Sequence, residues 1–347
     1  MRPAVGRGVI VLLLGLVPAA GVAQDWSGAS LRAGPTLRVP EGYRVEVLGV
    51  GFRLPQDLAV DPPDGLWVLS QTGRSDEAGT LMRLSIAGSD PVPAATLPTI
   101  GIPFSPDPAR FRPGSLARHP TTGELFVAEQ SGRHIFRVSP TGQASLYARG
   151  LNRLADTKAL SFDGEARLLV LDASGRSLVA DRDAGPPRDW FGDGERYVGP
   201  LLYRLRVDEP RPAPRNIEHA IPVFPPRRLR EAGAQLGRYE GGVLALAGGD
   251  LILSGSGGRI DRLRLDGTIT PVARIVPAGR VVAVDGDGDL YAVDYLGGRL
   301  VRVTRDGTVH RLIEGLARPA AVTVAAGAIF VAEDTGRILR IRAAGGD

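Results

Sequence analysis

Cysteine is absent from the chain. That excludes disulfides and thiolate chemistry, and it removes the residue a lipoprotein anchor would need. Histidine is scarce: His119, His134, His219 and His310 are the only four. None is followed by a glycine pair or set in a metal-ligand spacing, and no nucleophilic serine elbow or zinc pattern appears. Asparagine occurs only at Asn152 and Asn216, and lysine only at Lys158, against 41 arginines. Codon usage in a GC-rich genome accounts for that imbalance. No long amphipathic helical pattern is present. The formal net charge is +4, and Arg2 and Arg7 contribute to it. The arginines are spread along the chain rather than gathered in a patch, so nucleic acid is not an expected partner.

Glycine and proline are plentiful, at 46 and 28 residues, as a fold with many turns requires. From Val281 the chain reads VVAVDGDGDLYAVDYLGGRLVRVTRDGTVHRLIEGL. Short apolar runs of period two alternate with Gly-Gly and Asp-Gly turns, which predicts a four-stranded antiparallel meander. Its third strand carries a tag, Gly-x-apolar-x-Arg-apolar, give or take a residue. The tag recurs at Arg83, Arg137, Arg204, Arg262, Arg302 and Arg340. Six four-stranded units of about forty residues predict an all-β fold, a six-bladed β-propeller. The last unit stops after its third strand, Ile338 to Arg342, while Tyr43 to Val50 reads as an isolated fourth strand. The N-terminal strand is therefore expected to close the last blade and remove two exposed edges.

Domain boundaries follow. Residues 1–23 have a basic start, an apolar stretch from Val9 to Val17 too short to span a bilayer, and small residues up to Ala23, which reads as a cleaved signal peptide. Residues 24–39 form an N-terminal tail and residues 40–347 the propeller. The protein is expected in the periplasm or secreted, as a monomer with no membrane insertion once the signal is removed. Asn216 to Val223 reads as the fourth strand of blade 3. The long stretches all fall between second and third strands or between a fourth strand and the next first strand. In a propeller both kinds of connection emerge on one face, and loops on a rigid scaffold are where binding concentrates.

The blade 2 stretch VAEQSGRHIFRVSPTG resembles the NHL repeat, and VDYLGGRLVRVTRDG and VAEDTGRILRIRAAG fit it more loosely. The motif's asparagine is replaced by Gly or Ser-Gly. PEGYRVEVL and HPTTGELFVAE are similar to the soluble quinoprotein sugar dehydrogenases, and the wider relatives include the gluconolactonase (senescence-marker) family. The resemblance implies a six-bladed propeller and, for the gluconolactonases, a divalent cation held at the central mouth by a glutamate, an asparagine and an aspartate.

The entries to the inner strands carry the candidate site. Asp57, Ser115, Asp156 with Lys158, Glu240, Arg280 and Arg318 align there. Asp57, Asp156 and Glu240 offer oxygen ligands for one calcium ion; the alternative is that these charges pair with Lys158 and Arg280. Trp190 lies in RDWFGDGERY, whose aromatics and charges suit stacking on a sugar or another planar ligand, or packing over the loop's own blade. Acids end four second strands (Glu129, Asp172, Asp294, Glu333) and read as turn caps that balance nearby arginines. Asp285-Gly-Asp287-Gly-Asp289 imitates a calcium loop but reads as a tight turn. No catalytic residue is identified. Three functions stay open: binding a small polar ligand or a protein partner on the loop-bearing face, a metal-dependent lactonase of the gluconolactonase type, and a quinoprotein-like sugar oxidoreductase.

Cleavage after Ala23 makes Gln24 the expected mature N-terminus. Intact-mass measurement on the exported fraction checks it; retention of Met1 would reject the signal.

Overall fold

The structure, a computed structural model, describes residues 37–71, 77–87, 92–98, 113–129, 134–149, 151, 158–172, 201–208, 215–216, 241–275 and 279–344. The segment expected to be a signal peptide, 1–23, residues 24–36 of the expected tail, and Asp156, Trp190 and Glu240 lie outside these residues.

Six sheets form a closed ring. Blade 1 runs through Pro55–Asp61, Gly65–Ser70, Glu77–Ser85 and Val92–Pro98, and blade 2 through Pro113–Arg118, Leu125–Glu129, His134–Val138 and Ala144–Arg149. Blade 3 contributes Leu160–Phe162, Arg167–Asp172 and Leu201–Arg206; blade 4 contributes Gly242–Ala245, Leu251–Ser254, Arg259–Leu263 and Ile269–Arg274. Blade 5 is Gly279–Val284, Leu290–Asp294, Arg299–Val303 and Val309–Glu314. Blade 6 is Pro319–Ala325, Ala328–Glu333 and Arg337–Ala343, completed by the N-terminal strand Tyr43–Gly49. The first strand of each blade lies innermost and touches those of its neighbours, with Pro319–Ala325 beside Pro55–Asp61. This is the expected six-bladed β-propeller. Among the described residues there is no α-helix, only a 3-10 turn at Ser256–Gly258.

Blade 3 departs from the expected pattern. Among the described residues it has three strands, and Arg215–Asn216 pairs in parallel with Ala148 and Arg149 on the outer edge of blade 2. Residues 217–223 of the expected strand lie outside the described residues.

Both faces of every blade pack against a neighbour, and this explains why the second strands are apolar throughout rather than alternating. Leu125–Glu129, Leu290–Asp294 and Ala328–Glu333 are buried at every position. Between blades 1 and 2 the core joins Leu69 and Leu81 to Val127 and Phe136; between blades 6 and 1 it joins Phe330 and Ile338 to Leu66 and Val68. Truncating a buried phenylalanine such as Phe330 to alanine costs about 3–5 kcal/mol.

The tag arginines now have partners. Arg83 binds Asp61 at 2.7 Å, Arg137 binds Glu124 at 2.6 and 2.8 Å, and Arg204 reaches Asp163 at 3.1 Å. Arg262 and Arg302 bind Asp250 and Asp289. In these five blades the acid sits at the first-to-second turn of the same blade, so one ion pair fastens the third strand to that turn. Blade 6 has Ala325-Ala326-Gly327 there and no acid. Its Arg340 instead binds Glu46 of the N-terminal strand, its direct register partner, with Nε–Oε2 2.9 Å. The same guanidinium donates to the Ile86 carbonyl of blade 1.

Closure is carried mainly by the ladder from Tyr43↔Ala343 to Gly49↔Ile338 and by burial of Leu48 and Phe52. Glu46 is half-exposed, so Glu46→Ala is expected to cost under about 1 kcal/mol. Deleting residues 40–52 is expected to abolish cooperative unfolding. Urea melts monitored by circular dichroism check both, and a deletion variant that melts like the full chain would refute closure by this strand.

Candidate functional site

The inner strands are laced to one another near their first residues. Asp57 Oδ2 accepts the N–H of Leu116 from blade 2 at 2.7 Å, and Oδ1 accepts the N–H of Leu58 at 2.8 Å. Ser115 Oγ accepts the N–H of Leu160 from blade 3 at 3.1 Å, and Ser161 Oγ that of Ala245 from blade 4 at 3.4 Å. A polar side chain from each of blades 1, 2 and 3 thus receives a backbone donor from the next.

Lys158 crosses this lacing. Its Nζ donates to Asp57 Oδ1 at 3.1 Å and Oδ2 at 2.8 Å, and to the Leu116 carbonyl at 2.9 Å. Its backbone bridges blade 4: Lys158 N–H donates to Gly241 O at 3.0 Å, and Val243 N–H to Lys158 O at 2.9 Å. One residue of blade 3 therefore ties down blades 1, 2 and 4. Gly242 is required by this approach, and Gly241 by the second strand of its own blade. A Cβ on Gly242 would lie 2.5 Å from Lys158 Cβ, and one on Gly241 would lie 2.7 Å from Ser254 Oγ.

Asp57 is fully buried and the Lys158 side chain nearly so. Burial pushes the Asp57 carboxyl above the ordinary carboxylate value, while the Lys158 ammonium and the N–H groups of Leu116 and Leu58 pull it back. The compact ammonium has three protons and meets three acceptor atoms. A guanidinium is larger and planar, so codon bias explains the other 41 basic residues and geometry explains this one.

Of the expected mouth residues, the structure brings together Asp57 and Lys158. Both Asp57 oxygens are engaged by protein donors, and the ammonium supplies the positive charge beside them. Asp156, Glu240 and Trp190 lie outside the described residues, and of Arg280 only the backbone is described, paired with Val293. Among the described residues no group of three His, Asp or Glu side chains is arranged to hold a metal.

Other candidates resolve into turn chemistry. Glu333 accepts from Ala317 N–H at 2.7 Å and Arg337 Nε at 2.6 Å, and Asp294 accepts from Gly297 N–H at 2.9 Å. Glu129 and Asp172 are buried at the matching positions. Asp285 Oδ1 accepts from the N–H groups of Asp287 and Asp289 at 3.0 and 2.9 Å, and Oδ2 from the Tyr291 hydroxyl. His119 plays the same part in blade 2: its Nδ1 accepts the N–H groups of Thr121 and Thr122 at 3.2 and 3.1 Å. An imidazole that accepts at Nδ1 in its neutral form carries its proton on Nε2.

No family model matches the chain, and no curated protein is similar to it. Solved structures are. The pyrroloquinoline quinone domain of pyranose dehydrogenase from Coprinopsis cinerea is 11% identical, with a TM-score of 0.59 over 90% of this chain and 98% of that one. A putative gluconolactonase is 14% identical, with a TM-score of 0.56 over 88% and 94%. Virginiamycin B lyase from Staphylococcus aureus is 12% identical, with a TM-score of 0.53 over 86% and 99%. At these identities the likeness is one of fold.

Two outcomes are expected. Lys158→Met strands a buried carboxylate and costs about 3–5 kcal/mol, much of it recovered in Asp57→Asn/Lys158→Met; equal losses in the single and double variants, read by urea unfolding, would show that the pair is not coupled. Burial also holds the His119 imidazole below its ordinary value of 6.5, against the opposing pull of Glu124. The folded state thus binds fewer protons there than the unfolded chain. Its contribution to stability is complete above about pH 6.5 and is lost as pH falls through the depressed value. His119→Asn keeps a turn acceptor without the titration, so its melting temperature is expected to vary less between about pH 7 and 5 than that of the wild type.

Proposed function

We propose that the protein is an exported propeller that binds a small polar ligand or a protein partner on the face where its long connections meet. The supporting observation is the asymmetry of the two ends of the ring. At one end the first-to-second turns are short and locked by caps and arginine pairs. At the other, the chain runs from Pro98 to Pro113 and from Asp172 to Leu201 between strands, beside the inner-strand entries that converge on Asp57 and Lys158. Rigid strands carrying long connections around a charged mouth suit recognition.

Ligand contact is assigned to the mouth between blades 1, 3 and 4, with Asp156, Glu240, Arg280 and Trp190 as the contacting residues beside the buried Asp57–Lys158 pair. The gluconolactonase-type reading takes second place and is favoured by the fold likeness to a putative gluconolactonase. It requires Asp156 and Glu240 to bind calcium together with Asp57, whose oxygens already receive four hydrogen bonds. In that reading the cation would polarise a lactone carbonyl.

Metal analysis of the purified protein, with a glucono-δ-lactone hydrolysis assay with and without calcium, separates the two. About one calcium per chain together with turnover would replace the binding reading by the hydrolase; neither is expected. In either case Asp156→Ala/Glu240→Ala is expected to alter stability by less than about 1 kcal/mol while abolishing ligand binding once a ligand is found. Full activity in that variant would move the site off the mouth.

A further inference from the structure

The end of the ring opposite the long connections holds a second polar concavity. It is a cleft of about 540 Å3 between blades 2 and 3, lined by the first-to-second turns of both blades, by Arg137 and by the chain leaving the third strand of blade 3. Volumes of about 300–1,000 Å3 are usual for small-molecule sites.

Its charges balance. Arg137, Arg167 and Arg206 line it together with Glu124, Glu165 and Asp208. Arg137 is held by Glu124 through two hydrogen bonds, and Arg167 Nη2 lies 2.9 Å from Glu165 Oε1. His119, on the same wall, is neutral with an Nε2 proton, because Nδ1 accepts two backbone N–H groups. A wall of this kind has no net charge with which to draw in an ion. It offers N–H donors beside carboxylate acceptors, and a hydroxyl group answers both by accepting one hydrogen bond and donating another. Adjacent hydroxyls on one carbon chain or ring match adjacent guanidinium–carboxylate pairs.

The cleft is also stiff. The His119 ring packs edge-on against Phe162 at 5.0 Å, Phe162 against Phe126 at 5.4 Å, and the Arg137 guanidinium lies 6.0 Å from the Phe126 ring centre. Two of the lining side chains therefore rest on one aromatic pair, which lowers the ordering cost of binding.

We propose that this cleft is a binding site for a neutral polyhydroxyl compound, a sugar or polyol, held by the Arg137–Glu124 and Arg167–Glu165 pairs, with His119 Nε2 and Arg206 as further donors. It is separate from the mouth and does not depend on the reading given for it.

Calorimetric titration of the full chain with maltotriose and with sorbitol, and with citrate as the anionic control, tests the site. Heat is expected with at least one of the two neutral probes and none with citrate. Glu165→Ala/Arg206→Ala is expected to weaken that probe at least about tenfold at an unchanged melting temperature. If that variant unfolds, Glu165→Gln read the same way replaces it, with weaker binding again expected. Asp156→Ala/Glu240→Ala is expected to retain the binding. Silence with both neutral probes, a response to citrate alone, binding undiminished in the folded cleft variants, or loss of binding in the mouth variant would each overturn the assignment.

Discussion

The Lys158–Asp57 pair is the constraint around which the inner ring is arranged. A propeller has no continuous core along its axis. The innermost strands meet around that axis, and their entries must be held in register. Here an ammonium reaches across blade 2 to a carboxylate on blade 1, while the lysine's own backbone bridges blade 4. Removing either charge leaves the other without solvent, so the two are retained together. Gly242 follows from this arrangement, because the backbone of blade 4 must come within contact of the lysine stem.

A second, repeated device works at the opposite end. Each blade fastens its third strand to an acid, and in five blades that acid belongs to its own first-to-second turn. Asp61 serves two arginines, Arg83 in its own blade and Arg118 at 3.0 Å in the next, so part of this network also joins neighbours. One face is therefore built for rigidity by short-range pairs, and the other is left to long connections.

Much of this was legible in the sequence because it is periodic. The six arginine tags, the Gly-Asp turns and the missing fourth strand of the last blade gave the number of blades and the mode of closure. What periodicity could not show was where each charge goes. Arg83 and Arg340 carry the same tag, yet one binds 22 residues away and the other 294. The sequence left Asp57, Asp156 and Glu240 open as partners of Lys158, and it is Asp57, 101 residues away, that the lysine binds among the described residues, because the ring brings blade 3 within reach of blade 1. His119 fits the repeat in sequence, and its place on Phe162 emerges only when blades 2 and 3 are side by side. In blade 3 the described part of the expected fourth strand, Arg215–Asn216, pairs in parallel with blade 2, a partner that periodicity along the chain does not give. The expected mouth was legible only in part, since Asp57 and Lys158 are described and Asp156, Trp190 and Glu240 are not.

Closure by the first strand also imposes an order in time. Tyr43–Gly49 is among the first segments of the propeller to be synthesised, and its partner Arg337–Ala343 among the last. Until then the first strand has no permanent neighbour, and a half-apolar edge stays available to any other strand in the cell. The chain answers with composition. Arg44 and Glu46 alternate with Tyr43, Val45 and Val47, so one side of the waiting strand is charged. Assembly thus becomes a test of completeness. A chain cut short anywhere before its last strand cannot seal the ring and leaves Tyr43–Gly49 as an unpaired edge.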